Sequence, residues 1–399
     1  MNEAFLYGIG ALLICFTAGT FFLSRIQTDV YPEDYEFKLD PFWYVFGLLF
    51  VSGLLIFHFL PVYYDTVKDY GYTDFTVPFA LAALLYFSYL LDVSWLTWAI
   101  TTGASLLISF MQPDDFRLFP EYLSPTEDKI AVAAILIAIS KGLGLMNGLG
   151  AIASMQFITV MAVSAVLAYF GILPQLTGAL ALAYAGVMLA FAFLSWPPEK
   201  LVMSDGAFAS LGFILGCFML NAAIEFSEAS MFIAVSYMAV EIGIALYNRI
   251  IKRNREERAF MYTSYYRLSE NGVYEPAVVY SVLKIFIVDA VLALIQMAAH
   301  ERLALPVFAT AINLWFLSIL SGDTKPEELL SFSRWSKNTV KGILDKKGEN
   351  KNIYGVIDTQ GKTILEAKYD NITYLPNVGD FLVAVSYTHL RAHETGRNL

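Results

Sequence analysis

Long uncharged apolar runs are the feature that most restricts what this chain can fold into. They recur from Ala4 to Leu320 and are separated by short polar loops. A helix needs roughly 20 apolar residues to cross the hydrocarbon core of a bilayer, and most of the runs approach that length. The sequence therefore predicts an all-α polytopic membrane protein with about eleven transmembrane helices, followed by a small, truncated C-terminal β-repeat segment.

The ends of these runs give the boundaries of the predicted spans. Asp92 interrupts the apolar segment 76–111, so its two spans could also form one helix. The spacings Gly142-x-Gly-x-x-x-Gly148 and Gly212-x-x-x-Gly216 predict close packing between helices. The predicted spans are 4–23, 42–62, 76–91, 93–111, 129–146, 150–172, 176–195, 206–225, 229–248, 277–298 and 303–320.

The composition agrees with a membrane protein and excludes other classes. Hydrophobic residues make up 57% of the chain and charged residues 16%, whereas roughly a quarter of a soluble domain is charged. The formal net charge of -10 argues against a nucleic-acid partner, which requires a basic surface. Cys15 and Cys217 both lie in apolar runs, so we interpret them as small core residues. The first apolar run lacks a basic region before it, and we expect it to be retained as a span.

Basic residues in the connecting loops predict the orientation. Cytoplasmic loops of membrane proteins are enriched in lysine and arginine, and the densest cluster lies in the loop 249–276. With eleven spans, this places the N-terminus outside and the C-terminus in the cytoplasm of a bacterial inner membrane, and puts the acidic loop 112–128 outside. The cluster consists of Arg249, Lys252, Arg253, Arg255, Arg258 and Arg267.

Four ionisable residues lie at span edges on the predicted cytoplasmic face: Asp92, Lys141, Asp205 and Arg267. Ionisable residues in or beside a membrane span are candidates for function because they are costly to keep there. Asp92 and Asp205 have a structural alternative, because aspartate is also a favoured N-cap of helices.

Five ordered motifs resemble the polyprenyl-phosphate N-acetylhexosamine-1-phosphate transferases over about residues 5–320. The longest match is 193–213, which contains Met203-Ser204-Asp205-Gly206 and is similar to the family's motif around a metal-binding aspartate. The stretch 144–153 resembles a family loop rich in aspartate and glycine. The other three matches are Leu90-Leu91-Asp92-Val93 at the paired aspartates, Tyr265-Tyr266-Arg267-Leu268 at a histidine-rich loop, and Asp29 with Pro32 at an early motif.

The resemblance implies transfer of a sugar phosphate from a UDP-sugar to an undecaprenyl-type lipid phosphate at the cytoplasmic face. It implies Mg²⁺ as cofactor, with Asp205 as its ligand, and Asp92 and Asn147 as catalytic residues. Arg267 and Lys141 are then expected to bind substrate phosphate. Relatives of this fold also suggest a homodimer.

Several departures from the family pattern predict a degenerate site. Val93 replaces the second paired aspartate, and Asn147 and Gly150 replace the aspartates of the central loop. The family's histidines are replaced by Thr263, Tyr265 and Tyr266. Phosphoryl transfer depends on positioning and charge neutralisation, so these losses favour a binding or regulatory role in cell-envelope glycan synthesis. The alternative is an active, divergent Mg²⁺-dependent transferase.

A transporter is a further alternative, and it predicts charged residues near the middle of the bilayer. Lys141 and Glu241 are the nearest candidates for such residues, and both lie toward the ends of their predicted spans.

The C-terminal part divides into three segments. Residues 321–352 are interpreted as a basic cytoplasmic linker, with attraction to anionic lipid as the alternative. Residues 353–385 resemble an incomplete WG-type β repeat with a hairpin turn at Gln360-Gly361, which we expect to bind a protein partner. Residues 386–399 resemble a translated sequencing adapter, and we expect the natural chain to continue with further repeats instead.

Overall fold

The computed structural model divides the chain into two compact units, Met1–Thr324 and Lys325–Leu399. The residues that the structure describes are 3–25, 40–60, 72–113, 116–120, 122–197, 201–225, 228–252, 263–270, 275–296, 304–321, 343–348, 351–357, 363–369, 371–375 and 380–384.

The first unit is built from α-helices. In the described part of the chain, seven of them are long and apolar enough to cross a membrane, and three shorter helices are also apolar. The chain is therefore a multi-pass membrane protein. The helices are α1 Glu3–Leu23, α2 Phe42–Phe59, α3 Tyr72–Leu90, α4 Ser94–Met111, α5 Pro125–Leu145, α6 Gly150–Tyr169, α7 Gln175–Leu194, α8 Asp205–Glu225, α9 Glu228–Ala234, α10 Ser236–Lys252, α11 Ser264–Glu270, α12 Glu275–Ile295 and α13 Ala304–Ser321.

Local sequence signals explain several helix ends. Ser124 and Glu127 form a capping box at the start of α5, in which each side chain hydrogen-bonds the other residue's backbone N–H. Gly171 ends α6 with a φ of 74°, a conformation that glycine adopts without steric cost. Asp92 has a φ of 51° in the turn between α3 and α4. The segment 76–111 therefore forms two helices rather than one.

One predicted span is discontinuous in the structure. The span 229–248 contains the short helix α9 and the start of α10, with a break at Val235. The other predicted spans each coincide largely with one helix. Because length and composition qualify seven helices as spans, the number of eleven crossings remains a prediction.

The centre of the first unit is formed by α7 and α8, whose residues are mostly buried. Helices α1, α2 and α6 pack on α7, while α3 and α5 pack on α8. A Cβ added at Gly212 of α8 would lie 2.9 Å from Leu143 Cβ, and one at Gly216 would lie 3.0 Å from Leu136 Cδ2. The close packing predicted from the Gly212–Gly216 spacing is thus present between α8 and α5.

Within its described residues, the second unit contains five strands: β1 Ile343–Gly348, β2 Lys351–Ile357, β3 Thr363–Tyr369, β4 Asn371–Leu375 and β5 Asp380–Ala384. They form a three-stranded sheet in the order β1-β2-β3 and a two-stranded sheet of β4 and β5, with antiparallel pairing throughout. The predicted turn at Gln360-Gly361 falls between β2 and β3 but lies outside the described residues. The assignment to a WG-type repeat remains a prediction.

Candidate functional site

An aspartate and an asparagine from two of the sequence motifs meet at the start of α8. Asp205 is the first residue of α8, and Asn147 lies in a short 3-10 turn after α5. The Asn147 Nδ2 donates hydrogen bonds to Asp205 Oδ1 at 2.8 Å and to the Met203 carbonyl at 2.9 Å. Because the Asp205 side chain is exposed, a ligand can reach its carboxylate.

A second carboxylate, Asp40, joins the same place through Ser204. The Ser204 Oγ donates to Asp40 Oδ2 at 2.6 Å, and the Tyr86 hydroxyl donates to the same oxygen at 2.9 Å. Ser204 immediately precedes Asp205, so the start of α8 brings two acidic side chains into one cluster. Asp40 also fixes its own helix, since its Oδ1 accepts the Phe42 backbone N–H at 3.0 Å near the start of α2.

The structure uses residues other than Asp205 and Asp92 as the N-caps of the helices that follow them. At the start of α8, the cap is Ser204, whose Oγ accepts the Ala207 backbone N–H at 3.2 Å. At the start of α4, the N-cap residue is Val93, without a side-chain hydrogen bond. Asp205 and Asp92 therefore do not serve as the caps of these helices.

Lys141 supplies the positive charge of the cluster. Its Nζ donates to the Tyr89 hydroxyl at 2.8 Å and lies 4.7 Å and 4.9 Å from the ring centres of Tyr89 and Trp98. Tyr89 packs on Gly206, where an added Cβ would lie 2.6 Å from the Tyr89 Cβ. Tyr89 thus connects Lys141 to the first turn of α8, which Asp205 begins.

The remaining two predicted site residues, Asp92 and Arg267, have no described side-chain contact with Asp205, Asn147 or Lys141. Asp92 is exposed in the turn that follows Tyr89, and its backbone N–H donates to the Tyr89 carbonyl at 3.1 Å. Arg267 is half-buried in α11. The neighbouring Tyr265 is fully buried, with its hydroxyl 3.5 Å from the carbonyl of Leu145 at the end of α5.

We define the phosphate-site cluster as Asp40, Tyr89, Lys141, Asn147, Ser204 and Asp205. Its members come from the start of α2, the end of α3, the end of α5 with the turn that follows it, and the start of α8. Of the five predicted site residues, Asn147 and Asp205 are hydrogen-bonded to each other, and Lys141 is connected to the start of α8 through Tyr89, which packs on Gly206. The early motif residues Asp29 and Pro32 lie outside the described residues.

The donor atoms of the cluster fit the Mg²⁺ that the resemblance implies. Mg²⁺ prefers oxygen ligands and is usually held by one or two carboxylates together with substrate phosphates. Asp205 and Asp40 supply carboxylates, and the buried Asn147 Oδ1 has no hydrogen-bond partner within the described structure. Among the described residues, no group of three or more histidine, cysteine, aspartate or glutamate side chains is placed to hold a metal ion.

Sequence reasoning missed Asp40, Tyr86 and Tyr89. Asp40 carried a usable local signal, because an aspartate directly before Pro41 and an apolar run marks a helix start. Its partner Ser204 is 164 residues away along the chain, so no local pattern could have joined them. The two tyrosines resemble the many other aromatic residues near span ends.

No protein-family model matches the chain, and no curated protein matches it.

Proposed function

We propose that this membrane protein binds a polyprenyl-phosphate lipid at the phosphate-site cluster, on a scaffold of the sugar-1-phosphate transferase type, without transferring a sugar phosphate. The observation that carries the proposal is the environment of Lys141. Its ammonium contacts the hydroxyl and ring of Tyr89 and the ring of Trp98, and Tyr89 packs against Gly206, the residue that follows Asp205. A phosphate monoester or diester is the ligand chemistry that such a lysine favours.

The surroundings of Lys141 favour a lipid as the carrier of that phosphate. Trp98, which lies against the ammonium, is 55% exposed, and Trp95 on the same helix is 72% exposed. Leu91 in the preceding turn is 63% exposed. Tryptophan with its apolar neighbours is typical of the membrane interface, so a lipid headgroup would reach Lys141 directly from the bilayer.

Two features favour binding without turnover. Asn147 presents an amide to Asp205 where the resemblance would require a carboxylate. At positions where the family has histidines, Thr263 and Tyr265 are fully buried and contribute to packing. Phosphoryl transfer requires several charges aligned on the transferred group, and this cluster retains fewer of them.

A second candidate function is an active transferase, favoured by the position of Asp40. Asp40 gives the cluster a second carboxylate, which the sequence motifs did not supply. With Mg²⁺ bound, the metal would neutralise the pyrophosphate of a UDP-sugar. Asp205 and Asp40 would hold it, Lys141 would bind phosphate oxygens, and Asn147 would orient the Asp205 carboxylate.

The charges of the connecting loops support a proposed membrane location and orientation. We place the chain in a bacterial inner membrane with eleven crossings, the N-terminus outside and the phosphate-site cluster on the cytoplasmic side. The second unit is then cytoplasmic, and we propose that it contacts a protein partner. A homodimer is compatible with this arrangement.

Binding and turnover can be measured on the same preparation. Purified protein in nanodiscs would be tested for binding of undecaprenyl phosphate against the uncharged undecaprenol, and for Mg²⁺-dependent release of a uridine nucleotide from UDP-N-acetylhexosamine. Binding of the phosphate lipid without nucleotide release supports the proposal. Release that Asp205→Ala abolishes supports the active transferase instead. Equal affinity for both lipids, without release, would contradict both functions.

A further inference from the structure

A second polar cluster lies where the chain breaks between α9 and α10. Ser236 is the first residue of α10, Asp289 lies within α12, and Asn313 lies within α13. Asp289 and Asn313 are fully buried, and Ser236 is 6% exposed. A break in a membrane helix is tolerated when side chains satisfy the freed backbone groups, and these three polar side chains lie at such a break.

The three side chains form a connected hydrogen-bond group. The Asn313 Nδ2 donates to Ser236 Oγ at 2.7 Å and lies 3.1 Å from both Asp289 carboxylate oxygens. The Ser236 Oγ lies 3.0 Å from Asp289 Oδ2 and 2.8 Å from the Ile233 carbonyl at the end of α9. The Tyr237 backbone N–H also donates to Asp289. Asp289 thus contacts the Asn313 amide and the Tyr237 backbone N–H, and it shares the single hydroxyl hydrogen of Ser236 with the Ile233 carbonyl.

The charge of that carboxylate is only partly compensated. Its hydrogen-bond partners are a hydroxyl, an amide and a backbone N–H. The start of α10 contributes the partial positive charge of a helix N-terminus, equivalent to about half an elementary charge. An ionised carboxylate inside a membrane domain requires a charged partner, and none of the hydrogen-bonding groups around Asp289 carries a full positive charge.

An oxygen atom without a partner lies in the same group. The Asn313 Oδ1 is buried and accepts no hydrogen bond within the described structure. Rotation of the amide by half a turn exchanges its oxygen and nitrogen, which would bring Oδ1 to Asp289 and Ser236. The group can then offer carboxylate, amide and hydroxyl oxygens, together with the Ile233 carbonyl, to one ion.

We propose that Asp289, Asn313 and Ser236 bind a monovalent cation of the sodium type at the break between α9 and α10. Hard cations take oxygen ligands, and this group offers oxygen donors from three helices. One carboxylate balances one positive charge, whereas a divalent ion would leave an excess charge inside the apolar domain. The bound ion would hold α10, α12 and α13 together at the break.

This cation site is separate from the phosphate-site cluster, whose residues lie on α2, α3, α5, α8 and the turn after α5. Its existence does not depend on the function proposed above. The buried carboxylate of Asp128, at the start of α5, offers a useful comparison. It accepts hydrogen bonds from the backbone N–H groups of Leu118 and Phe119. Those contacts satisfy Asp128 locally, and no amide oxygen without a partner adjoins it among the described contacts.

Thermal unfolding of the full chain in sodium chloride and in choline chloride at equal ionic strength tests the proposal. Choline is too large for the site, so sodium should raise the unfolding midpoint of the natural chain by about 2–5 °C if it saturates the site. Asp289→Asn, which keeps the side-chain shape, should abolish the sodium-dependent rise. Ser230→Ala is the matched control, because its Oγ donates to the Ala293 carbonyl at 2.7 Å outside the site.

Ser236→Ala provides a second reading if Asp289→Asn does not fold. It keeps the carboxylate and removes one ligand, so it should shift the sodium dependence to higher concentration. Equal midpoints in the two salts for the natural chain would overturn the proposal. A sodium-dependent rise that survives in Asp289→Asn, or that is lost in Ser230→Ala alone, would overturn it as well.

Discussion

Replacement of Lys141 by glutamine tests the proposed lipid-phosphate site most directly. Glutamine retains a polar side chain of similar reach but removes the positive charge. The described contacts of the lysine ammonium are with the hydroxyl and ring of Tyr89 and with the ring of Trp98. We expect the folded membrane domain to persist, because Lys141 is only partly buried. The expected defect is therefore one of binding.

The size of that defect follows from the charge removed. Two unit charges about 4 Å apart at a protein surface attract by about 4 kcal/mol, and a hydrogen bond to a charged group contributes about 1.5–3 kcal/mol net. A loss of about 2–3 kcal/mol corresponds to a decrease of about 30- to 150-fold in affinity for undecaprenyl phosphate. Affinity for undecaprenol should not change, because it carries no phosphate.

Lys129→Gln is the matched control, since Lys129 lies on the same helix and also contacts an aromatic ring, that of Phe110, at 5.8 Å. Lipid binding in nanodiscs would be measured for the natural chain and both variants at several salt concentrations. The control should bind like the natural chain, and the Lys141 effect should shrink at high salt. Equal losses in the two variants, or no loss in Lys141→Gln, would refute the assignment of Lys141 to the phosphate.

Three further predictions concern the acidic cluster, the helix packing and a helix cap. Asn147→Asp would replace the amide 2.8 Å from Asp205 by a carboxylate. Repulsion between the two carboxylates should lower the midpoint of unfolding without Mg²⁺, and addition of Mg²⁺ should restore it. A decrease that Mg²⁺ leaves unchanged would contradict the proposed Mg²⁺ site. Gly212→Ala should destabilise the chain by about 1–3 kcal/mol through overpacking, whereas Gly103→Ala, with nothing within 4 Å, should not; equal midpoints for the two variants would argue against close α5–α8 packing. Hydrogen bonds from the α5 N-cap serine lower the pKa of the exposed Glu127, so its stabilising effect is present at neutral pH and is lost as pH falls through that lowered pKa. The midpoint difference between the natural chain and Glu127→Gln should therefore disappear in acid, and a difference that persists there would exclude an ionic origin.

Local sequence was sufficient to predict most of the helices, because the length of each apolar run and the residues at its ends are properties of that segment alone. The run after Ser124-Pro125 begins with a capping box, and the run before Gly171 ends at a residue that adopts positive φ. The break at Val235 gave no comparable signal. It has neither proline nor glycine, and it is stabilised by side chains of other helices, including Gln156 of α6, whose Nε2 donates to the Ala234 carbonyl at 2.8 Å.

The two polar sites differ in how many of their residues could be predicted from the sequence. The motifs predicted Asn147 and Asp205, which the structure joins by a hydrogen bond, and the position of Lys141 near a span end made it a third candidate. Sequence does not single out Asp289, because the transporter alternative rests on Lys141 and Glu241 as the charges nearest the middle of the bilayer. A single aspartate in a long apolar run carries no information about its partners, which here come from α10 and α13.

The sequence by itself determined that this chain is a helical, multi-pass membrane protein, because apolar length and composition are properties of each segment alone. It also determined which ionisable residues lie at span edges. Only the tertiary structure decided that Asp40 meets the start of α8 and that Asp289 lies at a helix break. These are contacts between segments far apart in the chain, and they depend on helix packing that no local pattern specifies.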